Sequence, residues 1–430
     1  MSCVNMEDRA KECILQAATR FNITLKDKQF DAIKAFLSGR DVFVSLPTGY
    51  GKSLIYALLP IVFDLFKEQR GSIVICISPL VCLMMDQKAK FAPQGIITEF
   101  LGEEQTDASC IRSVKNGEVQ LVYMSPESII CNFQYRNMLL SPVYQEKLVA
   151  FVVDEAHCVK KWGDSFRIAY SQLGDIRSFL PPSVNVMALT ATATNATYKS
   201  VCQRLSLHDP VLVGHSPNRD NIMYEVRPIT DLSSFCGLIA DELKQLGLEY
   251  PKTIIFLQSY GDCALMYQTL KLKLGPCITF PPNYPILQQF AVIGMYTRAS
   301  KTEMKEKTLA SFCETHGKLR IVLATTAFGM GVDCRDVRVI YHWRAPSDLE
   351  QYAQETGRAG RDNLPSRAIL LYGNPGRHVE EKVKKYASNR SVCRREYLMK
   401  QFLCSDQVEP TRDLSTCCDV CRDSVTKNNY

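Results

Sequence analysis

Short runs rich in β-branched residues recur along the chain, and each is followed by a segment long enough for a helix. Five come early: Asp41–Leu46, Ser72–Ser78, Val119–Ser125, Leu148–Glu155 and Val184–Thr190. This rhythm predicts a parallel sheet wrapped by helices, because a parallel connection must cross back over the sheet and the helix occupies the crossover. After the polar stretch Ser216–Asn221 the pattern restarts at Thr253–Ser259, Gln289–Tyr296, Leu319–Thr326, Val337–Trp343 and Arg367–Gly373. We therefore expect two α/β domains in tandem, residues 21–215 and 216–373, after an N-terminal extension of residues 1–20. Beyond Gly373 the strand pattern stops and the chain turns charged, helical and cysteine-bearing, so a third, small helical module is expected over 374–430.

The 430 residues suffice for this plan, and 46% hydrophobic content suits packed cores rather than disorder. The longest apolar run, Leu54–Phe63, is too short to span a bilayer, and the acidic start lacks the apolar stretch of a signal peptide, so an intracellular protein is expected. Lys plus Arg exceed Asp plus Glu by 51 to 45, a net charge of +6 that is compatible with a polyanionic partner without demanding one. Most of the 18 cysteines, among them Cys76, Cys82, Cys158, Cys202 and Cys334, sit singly and read as reduced core thiols. Only the C-terminal group has ligand-like spacing.

Two segments carry phosphate chemistry. In SLPTGYGKS a strand runs through a Gly-rich turn into an apolar helix. There Gly49 and Gly51 let backbone N–H groups close around phosphate oxygens, Lys52 reaches the outer phosphates and Ser53 can hold Mg2+. Leu46 stands where the usual pattern has its first glycine. About one hundred residues on, VVDEAH ends an apolar strand in two acids: Asp154 to hold Mg2+ and Glu155 to orient or deprotonate water. Directly behind them HCVKKWGDSFR places Trp162 and Phe166 among basic residues, faces on which single-stranded bases can stack, with Arg167 and Lys160 to meet phosphates. A core role for Trp162 is the alternative reading.

The ordered set PTGYGKS, SPLVCLMMDQ, DEAH, ALTATAT, ATTAFGMGVD and QETGRAGRD resembles the RecQ-like family of superfamily 2 ATP-dependent DNA helicases over roughly residues 20–425. The resemblance implies two RecA-like domains followed by a zinc module. It implies an ATP-dependent 3′-to-5′ DNA helicase or translocase acting on single-stranded and forked DNA, with ATP, Mg2+ and structural Zn2+, in the nucleus. By the same resemblance Thr48 joins the phosphate loop, Gln29 reads adenine with Lys26 where an arginine is usual, and Gln354, Arg358 and Arg361 act on the γ-phosphate. Ser78, Pro79, Thr190 and the turn Ser125–Glu127 line the DNA groove, while His157, Thr192 and Thr194 couple DNA contact to hydrolysis. The acid that the family shows after its Trp-Gly pair is displaced here to Asp164.

The family's zinc module opens on Cys-Arg-Arg and closes on a cysteine knuckle, which matches Cys393, Cys418 and Cys421. The remaining family position falls on Ser415, leaving Cys417 or Cys404 as the fourth ligand. No winged-helix or C-terminal helical domain is expected. An ATPase that translocates without unwinding, an RNA helicase and a non-enzymatic nucleic-acid scaffold are the competing readings. The sequence indicates no protein partner and no membrane.

Overall fold

The computed structural model describes residues 3–102, 105–163, 167–287, 289–326, 334–374, 376, 378–405 and 413–428. They form two compact units, Met1–Ser216 with Phe402–Cys404, and Pro217–Gln401 with Ser405–Tyr430.

The first unit is built on seven strands: β1 (Val42–Ser45), β2 (Ile73–Ile77), β3 (Thr98–Leu101), β4 (Leu121–Met124), β5 (Leu148–Val153), β6 (Asn185–Thr190) and β7 (Val211–Gly214). They lie in the order β3-β4-β2-β5-β6-β1-β7, every pair parallel. All residues of β1, β2, β4 and β5 are buried, which explains why they read as unbroken apolar runs rather than alternating ones. The register pairs Ser45 at the end of β1 with Thr190 at the end of β6, so the turns that follow both strands begin side by side. The helix Lys52–Lys67 is buried continuously from Ile55 to Phe63. Helices Cys3–Arg20 and Asp27–Leu37 close over it through Ala10, Ile14, Ala17, Ile33 and Phe36. The helix Cys3–Arg20 is thus packed into this core rather than extending from it.

The second unit holds β8 (Ile222–Pro228), β9 (Thr253–Phe256), β10 (Ile293–Tyr296), β11 (Ile321–Ala324), β12 (Val339–Trp343) and β13 (Ser366–Tyr372). Their order is β10-β11-β9-β12-β13-β8, again all parallel. The segment after Gly373 joins this unit instead of standing alone. Arg395, 2% exposed, donates to the carbonyls of Arg219 (2.6 Å) and Ile222 (2.6 Å), and Asp419 accepts from the Val226 N–H at 2.9 Å. A buried guanidinium needs that many acceptors, and the start of β8 supplies them. Phe402–Cys404 goes to the first unit, where Leu403 N–H donates to Ala193 O at 2.9 Å.

Two cysteines depart from the reading as reduced core thiols. Cys334 is bonded to Cys313, their Cα atoms 4.7 Å apart, because the end of helix Thr302–Cys313 and the start of Cys334–Val337 meet at Lys252. That ammonium takes Glu314 O and Asp336 Oδ2, both at 2.8 Å. Cys82 is exposed, lying in the first turn of helix Val81–Phe91.

Candidate nucleotide site and thiol cluster

The turn between β1 and the helix Lys52–Lys67 needs its glycines for backbone reasons. Gly49 and Gly51 have φ of 83° and 92°, the left-handed region that glycine enters without strain. A Cβ on Gly51 would lie 2.5 Å from Gln29 Nε2. That amide donates to Tyr50 O and Gly51 O, both at 3.0 Å, and its oxygen accepts from Lys26 N–H at 2.9 Å. Gln29, expected to read adenine, is here the clasp of the phosphate loop, with three of its four hydrogen bonds committed. Lys26 Nζ sits 4.6 Å from the centre of the Tyr50 ring, a cation–π contact.

Lys52 opens the helix and donates to Leu46 O at 3.0 Å, folded back over its own loop; Thr48 and Ser53 flank it, both half-buried. Loop amides, an ammonium and a hydroxyl at a helix start form a donor set that fits phosphate and its magnesium. Asp154 directly follows β5, which is separated from β1 by β6. Its Oδ1 accepts from the Glu155 N–H at 2.9 Å and its Oδ2 from Tyr56 Oη at 3.1 Å. Burial raises the Asp154 pKa, the Glu155 charge adds to the rise and Lys52 opposes it, leaving it pushed up to about 6. The Tyr56 hydroxyl is driven well above its usual range, by burial first and then by Asp154, so it is the donor of the pair.

Glu155 has φ of 48°, a left-handed backbone that turns its carboxylate toward His157. His157 Nδ1 lies 3.2 Å from Glu155 Oε2 and 3.2 Å from Thr190 Oγ1. Burial opposes charge on this imidazole, but Cys158 and Glu155 outweigh it and its pKa rises to about 10. Thr190 Oγ1 donates on to Thr192 O at 3.0 Å, and Leu46 N–H donates to Thr190 O at 3.1 Å. Phosphate loop, acids and the threonine segment are therefore one hydrogen-bonded assembly. Among the described residues the buried Thr192 hydroxyl has no hydrogen-bond partner. Thr194 caps the next helix through Thr197 N–H, and Lys160 Nζ meets Thr197 Oγ1 at 3.2 Å.

Arg167, expected at a nucleic-acid phosphate, is paired with a carboxylate. Its guanidinium takes Glu127 through Nε at 2.6 Å and through Nη2, and Nη1 donates to Pro79 O at 2.5 Å. Burial raises the Glu127 pKa but Arg167 outweighs it and holds it below the usual carboxylate value. Arg167 thereby ties the Ser78–Pro79 turn to the Ser125–Glu127 turn; Ser78 is buried and its N–H donates to Met124 O at 2.9 Å. Trp162 belongs to the helix His157–Gly163, while Phe166, Asp164 and residues 327–333 of ATTAFGMGVD lie outside the described residues.

In the second unit, Asp348 caps the helix Leu349–Thr356 that carries Gln354, whose buried Nε2 has no partner among the described residues. Arg358, 6% exposed, and Arg361 follow in a turn fixed by Gly360. At φ 56° Gly360 accepts from Asn221 Nδ2 at 2.8 Å and from Arg219, and its N–H donates to Val337 O at 2.8 Å. Asp362 is locked to Arg338 beside it.

The sulfurs of Cys393, Cys417, Cys418 and Cys421 all lie within 4.8 Å of one another. Zinc–sulfur bonds of about 2.3 Å give a tetrahedral sulfur cage with edges of roughly 3.8 Å, so this donor set fits zinc. Cys418 Sγ accepts from the N–H groups of Arg394 and Cys421, both at 3.4 Å, which orients the knuckle. Cys404 lies in the first unit, against Gly214, and does not join the cluster. Sequence reasoning missed Tyr56; its signal was a hydroxyl one turn after Lys52 inside the apolar run Leu54–Phe63.

Residues 26–201 match the DEAD/DEAH box helicase family, and residues 239–363 match the helicase conserved C-terminal domain. ATP-dependent helicase SGS1 of Saccharomyces cerevisiae is 32% identical over 94% of this chain, which covers 28% of that protein. ATP-dependent DNA helicase hus2/rqh1 of Schizosaccharomyces pombe is 31% identical over 92% of this chain and 30% of its own length. ATP-dependent DNA helicase RecQ of Haemophilus influenzae is 30% identical over 93% of this chain and 61% of its own length. The chain thus spans between about a quarter and three-fifths of these relatives. Among solved structures, the fold is shared with the DUF1998 helicase MrfA bound to DNA (TM-score 0.64, 18% identity, 85% of this chain and 51% of that one). It is shared also with Dbp5 of S. cerevisiae bound to RNA and ADP BeF3 (TM-score 0.61, 16% identity, 94% and 96%). With both motor halves matched and about 30% identity to RecQ-type proteins along nearly its whole length, the chain belongs to the RecQ-like family of superfamily 2 helicases.

Proposed function

We propose that the chain is an ATP-dependent DNA helicase or translocase that moves 3′ to 5′ on single-stranded DNA and separates strands at forks. The observation that carries this is the assembly of Lys52, Asp154, Glu155, His157 and Thr190 around one phosphate loop, in a chain related to DNA helicases throughout. The loop amides and Lys52 hold the triphosphate, and Ser53 with Asp154 would hold its magnesium, which neutralises phosphate charge during transfer. Glu155, oriented by His157, positions the attacking water. Arg358 and Arg361 stabilise charge developing on the transferred phosphoryl group, with Gln354 beside them. Gln29 joins recognition of the base by exchanging its loop carbonyls for the adenine.

On the nucleic-acid side, Trp162 and Phe166 stack on bases and Ser78, Pro79 and Thr190 line the groove. Arg167 acts through Glu127 and Pro79, holding two groove turns in register. Because Trp162 and Glu155 are joined by one short helical segment, a strand that moves the ring reaches the acid, and His157, Thr190 and Thr192 carry that signal to the loop. Structural zinc on Cys393, Cys417, Cys418 and Cys421 would add folding free energy to the second unit. Among the described residues no helix is long and apolar enough to cross a membrane, and a DNA substrate places the protein with DNA, in the nucleus of a eukaryotic cell.

Duplexes bearing a single-stranded tail on either the 3′ or the 5′ side test the direction. Unwinding of the 3′-tailed duplex alone, requiring ATP and abolished in Lys52→Ala, is expected; equal unwinding of both, or of the 5′-tailed one alone, contradicts the reading.

A further inference from the structure

We propose that Tyr56 is a positioning residue of the nucleotide site, a buried hydroxyl that fixes the Asp154 carboxylate for a divalent cation. Tyr56 is fully buried, and its neighbours Ile55, Ala57, Leu58 and Leu59 are aliphatic or small and buried with it. A phenylalanine would fill that space equally well, so packing does not explain the oxygen. The hydroxyl donates to Asp154 Oδ2 at 3.1 Å, while the Glu155 N–H takes Oδ1 at 2.9 Å from the opposite end of the carboxylate.

Two fixed donors, one on each oxygen, set the plane of the group and leave the remaining lone pairs for a hydrated metal. The helix supplies the precision. Tyr56 stands one turn after Lys52 on the same face, so the cation of the phosphate loop and the donor beneath the acid move as one rigid piece. Cys76 and Tyr123, both buried on adjacent strands, close the floor under the pair, with the Tyr56 and Tyr123 rings 6.2 Å apart edge to face.

This rests on Asp154 meeting the nucleotide's cation, and the experiment separates the two claims. Mn2+ bound with ADP to the full chain is titrated by electron paramagnetic resonance, beside ADP binding in EDTA and a thermal melt. Tyr56→Phe is expected to weaken Mn2+·ADP binding about 10-fold, the lower range for an outer-shell partner, while metal-free ADP binding and the melt stay at wild-type values. Unchanged Mn2+·ADP binding overturns the inference. So does a parallel loss of metal-free binding and of the melt, which would make the hydroxyl merely structural. Asp154→Asn tested alongside is expected to lose Mn2+·ADP binding; if it does not, the reading of Asp154 fails. If Asp154→Asn loses it and Tyr56→Phe does not, only the role of Tyr56 fails.

Discussion

Replacing Gly360 with alanine perturbs the turn between Arg358 and Arg361 without touching either arginine. The residue has φ of 56°, where an added Cβ costs about 1–2 kcal/mol. That Cβ would also lie 2.3 Å from Asn221 Nδ2, 2.5 Å from Ser366 Oγ and 2.7 Å from Leu364 O. Asn221 must then leave Gly360 O and Leu364 O, both bound at 2.8 Å, and each lost bond costs about 1 kcal/mol. Together these reach about 3–4 kcal/mol, or roughly 10 °C in the melt of a unit this size. Gly95 provides the control: its φ of 85° and ψ of 15° are left-handed and no described residue lies within 4 Å of its Cβ, so Gly95→Ala should cost the first unit only the backbone part, about 1–2 kcal/mol. Calorimetry of both variants, with nucleotide binding to the first unit measured beside it, reads the difference. If Gly360→Ala costs the second unit no more than Gly95→Ala costs the first, the turn is not held as described and does not fix the two arginines.

Other outcomes follow from the same geometry. Lys52→Ala should reduce ATP hydrolysis below a tenth of wild type, since a phosphate-binding cation in a desolvated site supplies several kcal/mol of transition-state stabilisation. Arg361→Ala should slow turnover about 10³-fold with little change in nucleotide affinity; equal losses in both would make it a binding residue. Atomic absorption should find one zinc per chain, Cys421→Ser and Cys417→Ser should each release it and lower the melt of the second unit, and Cys404→Ser should not. Glu127, whose folded pKa Arg167 holds below its unfolded value of about 4.5, contributes stability that is complete above that pH and is lost as pH falls through the folded value. Glu127→Gln should therefore flatten the acid limb of the first unit's unfolding curve.

How far the fold could be read depended on where each strand lies. β1, β2, β4 and β5 are interior and buried on both faces, so each is an apolar run that stands out in the sequence. The strands passed over, β3, β7 and β8, are all at sheet edges, with one neighbouring strand each. β8 reads Ile-Met-Tyr-Glu-Val-Arg-Pro because its Glu225 pairs with Arg227 and with Arg367 on β13. β7 lies immediately before the polar stretch Ser216–Asn221, at the very end of the first domain. The N-terminal helix gives little signal in the sequence because several of its buried residues, Ala10, Ala17 and Ala18, are small and form a weak apolar stripe.

At the site, the residue types and their order were legible, whereas their partners were not. Gln29 holds carbonyls 21 and 22 positions away, and Arg167 reaches 40 positions to Glu127 and 88 to Pro79. No local pattern encodes such pairs. Spacing alone left Cys404 and Cys417 level as fourth ligand, since spacing does not report that Phe402 and Leu403 are buried in the first unit and carry Cys404 with them.

The central claim is that the assembly around Lys52 and Glu155 hydrolyses ATP in response to DNA. Steady-state hydrolysis measured with single-stranded DNA, duplex DNA, RNA and no nucleic acid tests it most directly, with Trp162→Ala carried in parallel. The account predicts strong stimulation by single-stranded DNA over RNA and over the unstimulated rate, and loss of most of that stimulation in Trp162→Ala even when DNA is saturating. Hydrolysis indifferent to nucleic acid, or stimulated by RNA and not by DNA, would contradict it.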